Sequence, residues 1–134
     1  MKGCSRAQSI LVIALTISAI AVIVGIRLLP FIFERSRISS AYRDLYYLPR
    51  FFEKHRSVTG RLPTNEEGFK ALIQRPEATS GRWLKTMDVV PIDPWGNRYH
   101  YRRSVRKGIE VPEILSAGTD GQFGTEDDLS SLKP

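Results

Sequence analysis

The stretch Ser116-Ala-Gly-Thr-Asp-Gly-Gln-Phe-Gly-Thr-Glu-Asp-Asp-Leu129 gathers the residues of this chain best suited to chemistry. Asp120, Asp127 and Asp128 offer carboxylates, while Gly118, Gly121 and Gly124 let the backbone fold tightly enough to aim carbonyl oxygens at one point. Hard cations such as calcium take about six to eight oxygens at roughly 2.3–2.6 Å, and this composition suits them. The spacing is not that of an EF-hand. The residues alone therefore leave a second reading open, an acidic surface turn whose aspartates cap nearby amides. A transition metal fits poorly: no thiolate is near, and His55 and His100 carry no paired ligand motif. Each histidine reads as an ordinary surface or sheet residue. The chain has no nucleophile elbow, phosphate loop, helical HExxH pair or Cys–His dyad, which argues against an enzyme.

The elements that must position this loop are bounded by length. A chain of 134 residues has room for one domain of about a hundred residues plus an anchor. A domain that small buries a modest share of its surface, so a metal or neighbouring subunits would help it. Cys4 is the only cysteine, which excludes an internal disulfide. It also precedes the apolar run, whereas a lipoprotein cysteine follows one. The net charge of +6 is unevenly spread. Residues 27–108 hold 17 basic and 8 acidic side chains, whereas residues 109–132 hold six acidic ones and no basic one. Such a body and tail fit either a solvated surface or contact with nucleic acid or anionic membrane.

Residues 7–26 carry no charge, and 20 helical residues rise about 30 Å, the thickness of a hydrocarbon core. A cleaved secretory signal would have a shorter apolar region of about 7–15 residues. Here the run continues past Arg27 into Leu28, Leu29, Phe31, Ile32 and Phe33, and a retained transmembrane helix over residues 1–33 is the better reading. Lys2 and Arg6 favour a cytoplasmic N-terminus, but Arg27, Arg35, Arg37 and Arg43 lie on the far side and oppose it by the positive-inside count. The calcium reading places the head outside the cytoplasm and is given more weight.

Residues 34–134 read as the head. Ile38, Tyr42, Leu45, Leu48 and Phe52 fall three or four apart, which predicts an amphipathic helix over 34–58 continuing from the span. Pro30 and Pro49 predict kinks or short breaks in it. Thr59-Gly60 closes the helix. Thr64 and Glu67 form a capping box that opens a short helix over 64–75, with Phe69, Leu72 and Ile73 as its buried face. Residues 76–91 read as a loop with Trp83 and Leu84 as core anchors. Asp93-Pro-Trp-Gly-Asn97 is a turn signal, and Tyr99 to Arg102 alternate as a strand that can pair with Glu110 to Leu115 across Arg106-Lys107-Gly108. The sheet and the acidic loop then occupy residues 93–129, and the fold class is α+β.

Three segments in order resemble one family. Gly60-Arg-Leu-Pro-Thr-Asn-Glu-Glu-Gly-Phe-Lys-Ala-Leu72 is similar to the YPT-x-EQGL-x-AL segment of major pseudopilins of type II secretion, in the type IV pilin-like superfamily. Asp93-Pro-Trp-Gly-Asn-Arg-Tyr-His-Tyr101 resembles their DPWGNPY-x-Y signature, and residues 116–129 resemble their C-terminal calcium loop in a shorter form. The resemblance implies a long N-terminal helix, half membrane-embedded, packed on a small antiparallel sheet. It also implies a single-pass inner-membrane protein with its head in the periplasm. Its partners would be copies of itself in a helical pseudopilus, minor pseudopilins and the inner-membrane secretion platform. Matched residue by residue, it assigns calcium carboxylates to Asp120 and Asp127 and carbonyl ligands to the neighbourhood of Ala117, Thr125 and Asp128, with Asp128 either carbonyl or side-chain donor. The turn at Asp93–Asn97 is expected to brace that loop.

The N-terminus departs from the family pattern. The candidate prepilin cut lies between Gly3 and Cys4, which puts Gln8 where the family has an assembly glutamate and Arg6 within the seam. Glutamine can hydrogen-bond but cannot neutralise a neighbour's amino terminus. A membrane-anchored subunit that never polymerises is therefore one alternative. A DNA-uptake or adhesive pilin is another, though no interleaving of aromatic and basic residues beyond Tyr99 to Arg103 supports nucleic-acid contact.

Overall fold

A computed structural model describes residues 3–77 and 81–133, the side chains of residues 3–5 and 7 excepted. The element order is α1 (Gly3–Thr59), α2 (Lys70–Ile73), β1 (His100–Arg106), β2 (Ile109–Ser116) and β3 (Leu129–Ser130). The chain divides into two compact units, Met1–Ser36 and Arg37–Pro134.

The first unit is the N-terminal part of α1. Its large apolar side chains, from Ile10 to Phe33, lie outside any protein core, with exposures such as 67% for Ile10 and 63% for Phe33. Apolar surface on this scale is stable only against lipid or other chains. The stretch is long and apolar enough to cross a membrane. Thr16, one of its few polar residues, donates its hydroxyl to the Ile13 carbonyl at 2.8 Å, which satisfies that hydroxyl in an apolar medium.

In the second unit α1 supplies one wall of the core. The buried stripe is Ala41, Leu45, Leu48, Phe52 and His55, at steps of four and three. It departs from the predicted stripe at both ends. Ile38 and Tyr42 are exposed and Ala41 takes the inward position. His55, expected at the surface, is 1% exposed and closes the stripe. The helix is unbroken through Pro30 and Pro49. It ends where expected: Gly60, at φ +82°, donates its amide to the Arg56 carbonyl at 2.8 Å, a left-handed cap that suits glycine.

Against this wall pack Leu62, Phe69, Leu72, Tyr99, Tyr101 and Ile114. Phe52 is the keystone. It stacks on Tyr101 (ring centroids 4.1 Å apart, 7° between planes) and meets Phe69 edge-on at 5.0 Å. The Tyr101 hydroxyl donates to the Pro63 carbonyl at 2.9 Å, and the Tyr99 hydroxyl to Asp44 at 3.1 Å. Burial pushes the acidity of both phenols well below normal, with Asp44 adding to the effect on Tyr99. They remain neutral donors across the working range.

The capping box forms as expected: the Thr64 amide donates to Glu67 at 2.8 Å and the Glu67 amide to the Thr64 hydroxyl at 3.2 Å. Regular helix is nonetheless confined to Lys70–Ile73, because the preceding turns admit Gly68 at φ +47°. Trp83 is half-buried and donates its indole N–H to the Ala71 carbonyl at 2.8 Å, whereas Leu84, expected in the core, is 41% exposed.

The sheet is antiparallel in the order β1-β2-β3. Lys107 and Gly108, at φ +53° and +77°, make the two-residue turn that sets the register Arg106↔Ile109 through His100↔Leu115. Strand β3 pairs Ser130 and Leu129 with Leu115 and Ser116, a two-residue strand too short for sequence alternation to reveal. Two details blunt the sheet edges. The outward amide of Arg103 is taken by the Asn65 side chain at 2.7 Å, and its cross-strand partner Pro112 has no amide to offer.

Candidate metal loop and its brace

The turn at 93–97 folds around one buried carboxylate. Asp93 Oδ1 accepts the amides of Trp95 (3.1 Å) and Asn97 (2.8 Å), and the Asp93 amide donates to the Asn97 carbonyl at 2.7 Å. Its other oxygen, Oδ2, accepts the Ser116 hydroxyl at 2.6 Å, and Ser116 Oγ in turn accepts the Gly118 amide at 3.2 Å. Asn97 Nδ2 donates to the Gly118 carbonyl at 3.3 Å. The turn therefore grips the start of the acidic loop from two sides, the brace that the sequence suggested.

Within the loop each candidate carboxylate holds backbone. Asp127 Oδ2 accepts the amides of Thr119 (2.6 Å) and Asp120 (3.0 Å), and Oδ1 accepts the Thr125 hydroxyl at 2.7 Å. The Thr125 hydroxyl and these amides hold the Asp127 carboxyl below the usual carboxylate range. Asp120 caps the Gln122 amide at 2.8 Å, and Asp128 Oδ2 caps the Gly124 amide at 2.7 Å. Gly118, at φ +60°, lies so close to Asp127 that an added Cβ would sit 2.3 Å from its carbonyl oxygen. Only glycine fits there.

The ligand positions expected for calcium thus share one loop. Ala117 is buried at its root, Thr125 lies beside Asp127, and Asp120, Asp127 and Asp128 face the loop's own amides. Among the described residues no group of three or more carboxylate, imidazole or thiol side chains converges, so a cation here would need backbone carbonyls to complete its shell. One atom lacks a partner: Asp128 Oδ1 is buried and accepts no hydrogen bond. A buried carboxylate oxygen left in that state is costly, and a hard cation is one group that would satisfy it. The donor set is all oxygen and fits calcium. Of the two N-terminal sites, Gln8 is exposed on α1, and Gly3 and Cys4 begin it with side chains outside the described residues.

A second polar cluster was not anticipated. Glu113, 4% exposed, accepts Arg102 Nε at 2.7 Å, Ser130 Oγ at 2.6 Å and the Ser104 hydroxyl. Burial alone would raise its pKa, but the three donors Arg102, Ser104 and Ser130 prevail and hold it down at about 2. The carboxylate ties β1, β2 and β3 together. Its signal was present in the sequence: once the Lys107-Gly108 turn sets the register, Glu113 lies directly across from Arg102.

The family profile described as "Type II secretion system (T2SS), protein G" matches residues 32–133. A type II secretion system core protein G from Aeromonas hydrophila is 30% identical over 105 residues, covering 73% of this chain and 70% of that protein. Its counterpart from Escherichia coli (strain K12) is 28% identical over 102 residues, covering 73% and 69%. The crystal structure of the major pseudopilin from the type 2 secretion system of enterohaemorrhagic E. coli superposes with a TM-score of 0.64 at 27% identity, over 77% of this chain and 92% of that one. Together with the helix on a three-stranded antiparallel sheet and the braced acidic loop, these matches show that the chain belongs to the family of type II secretion system protein G, the major pseudopilins.

Proposed function

We propose that the chain is an inner-membrane-anchored structural subunit that polymerises helically, through its apolar N-terminal helix, into a pseudopilus supporting protein export. The family is non-enzymatic, and membership places the chain with the secretion machinery. The observation that carries the finer reading is the run of exposed Ile, Leu, Val and Phe side chains between Ile10 and Phe33. Lipid covers such a surface before assembly, and neighbouring copies cover it afterwards. The head then faces the periplasm, where minor pseudopilins and the secretion platform are its partners. Cleavage between Gly3 and Cys4 would leave Gln8 within the apolar seam as a neutral hydrogen-bonding residue. Deleting the gene and restoring it tests the assignment. The wild-type chain should restore secretion and form filaments, whereas a chain carrying Ile13→Arg in the seam should restore neither. A wild-type chain that restores secretion without forming filaments would favour the anchored, non-polymerising reading that Gln8 suggests.

Calcium belongs to the same proposal. Asp120 and Asp127 would supply carboxylates, carbonyls near Ala117, Thr125 and Asp128 would complete the shell, and the partnerless Asp128 Oδ1 supports a cation in the loop. A ligand that binds only the folded state adds RT ln(1 + [L]/Kd), about 2.7 kcal/mol at a hundredfold excess over Kd. Full-length protein in detergent should melt several degrees higher in calcium than in chelator. Asp120→Ala and Asp127→Ala should abolish that difference, and Glu126→Ala, whose side chain is exposed, should leave it intact. A wild-type melting temperature indifferent to calcium would leave the aspartates as caps of local amides.

A further inference from the structure

The head carries one preorganised surface that its own fold does not use. On α1, Tyr46 and Tyr47 are 63% and 50% exposed, and their rings meet edge to face at 5.1 Å. The Arg50 guanidinium lies over both, 4.6 Å from the Tyr46 centroid and 5.1 Å from that of Tyr47. Arg50 makes no ion pair among the described residues. Two tyrosines and an arginine, fixed against one another at the surface, are the residue types that dominate protein–protein hot spots, and their mutual contacts lower the entropy lost on docking. The cation is not consumed by the rings. Its edge N–H groups remain free to meet a carboxylate.

The chain itself supplies the complementary surface. Residues 109–132 hold six acidic side chains and no basic one, against the basic surplus of residues 27–108. Within that segment Asp127 and Asp128 are engaged by backbone, and Glu113 is buried. Glu126 is exposed at the loop and makes no hydrogen bond or ion pair among the described residues. It would also keep its charge when a cation occupies the loop. Two copies cannot pair through like patches, since the basic faces repel. A basic–aromatic patch meeting a different, acidic patch is a heterologous contact, the kind that propagates into an open helical array instead of closing into a dimer.

We propose that the Tyr46–Tyr47–Arg50 face of one copy docks on the acidic loop of a second copy, with Arg50 pairing with that copy's Glu126. The inference rests on the polymerising reading, and its test separates the two. Self-association of the full-length chain in detergent, with calcium present, is followed by sedimentation, and filaments are followed by electron microscopy. Arg50→Glu and Glu126→Arg should each weaken association about thirtyfold, the scale of a hot-spot loss. The double variant should recover to within about threefold of wild type by restoring the pair with its signs exchanged. Tyr46→Ala with Tyr47→Ala should weaken association as much as either charge reversal. Circular dichroism and an unchanged calcium response in each variant exclude misfolding. Wild-type filaments with undiminished assembly of the single variants, or single losses that the double variant fails to rescue, would overturn the docking surface and leave the polymerising reading intact. Wild-type protein that never associates would overturn both. Sedimentation with vesicles of anionic phospholipid that depends on Arg50 but not on Glu126 would assign the patch to lipid and overturn the proposal.

Discussion

The two parts of this molecule use apolar side chains in opposite ways. In the head, Phe52 is fully buried between Tyr101 and Phe69, and its burial is complete within one chain. In the N-terminal part of α1, Ile17 is 62% exposed and touches no core. The hydrophobic effect acts on both, but only the head satisfies it internally. The head is therefore stable as a fold, whereas the anchor is stable only in a context. The family match follows the same division, since it begins at residue 32 and leaves most of the apolar run outside. A sequence that must specify a jigsaw core keeps recognisable motifs. The unmatched segment is also where Gln8 and Arg6 depart from the family pattern.

The sharpest way to break this contrast is at its keystone. Phe52→Ala removes a fully buried ring and should cost about 3–5 kcal/mol, enough to unfold much of the head by calorimetry of the full chain in detergent. If the loss were below about 1 kcal/mol, the head would not depend on internal packing. Glu113→Ala should cost about 2–3 kcal/mol, because two serines and Arg102 lose a buried charged acceptor. That cost should depend on pH. Glu113 and Glu67 both titrate at about 2 in the folded head, Glu67 chiefly through its paired bonds from Arg61 at 2.6 and 2.7 Å. An unfolded glutamate titrates at about 4.3. Both groups thus contribute stability that is present above about pH 4.5 and lost as pH falls toward 2. Acid melting curves of Glu113→Ala and wild type should converge across that window, and parallel curves would contradict the assignment. The smallest effect belongs to the anchor. Ile17→Ala should leave the head's melting temperature unchanged, within about 0.5 kcal/mol, while reducing membrane or filament association. A shift in the head's melting would show that the two parts are coupled.

Much of the head was legible in the sequence because its devices are local. The Thr64–Glu67 capping box, the Gly60 helix stop and the Lys107-Gly108 turn each depend on a few adjacent residues, and all three formed. What escaped were choices made by tertiary packing. His55 lies on the predicted helix but caps the core, with Nδ1 at 3.3 Å from the Arg61 carbonyl, since the stripe that begins at Ala41 returns at that position. Leu84 looked like core and is not, because the Trp83 indole takes the bond to α2. In the acidic loop the residue types suggested the proposed cation site, while the grip of Asp93 on Ser116 and of Asn97 on Gly118 joins positions about 20 apart, beyond the reach of any local pattern.

The blunted edges of the sheet would have a consequence for a protein that polymerises as proposed. Subunits crowded into a membrane patch or a filament meet one another at effective concentrations far above those of a dilute solution, and an open strand edge in that setting invites cross-β stacking. On one side Asn65 occupies the Arg103 amide, and on the other Pro112 has none. Main-chain pairing between heads is thereby suppressed at the middle of both long strands. On the proposed polymerising reading, the chain could reach high local density while side-chain surfaces, which can let go again, remain the means by which copies recognise each other. If the chain polymerises as proposed, subunits held by side-chain contacts could separate again, and strand exchange between them would remove that reversibility.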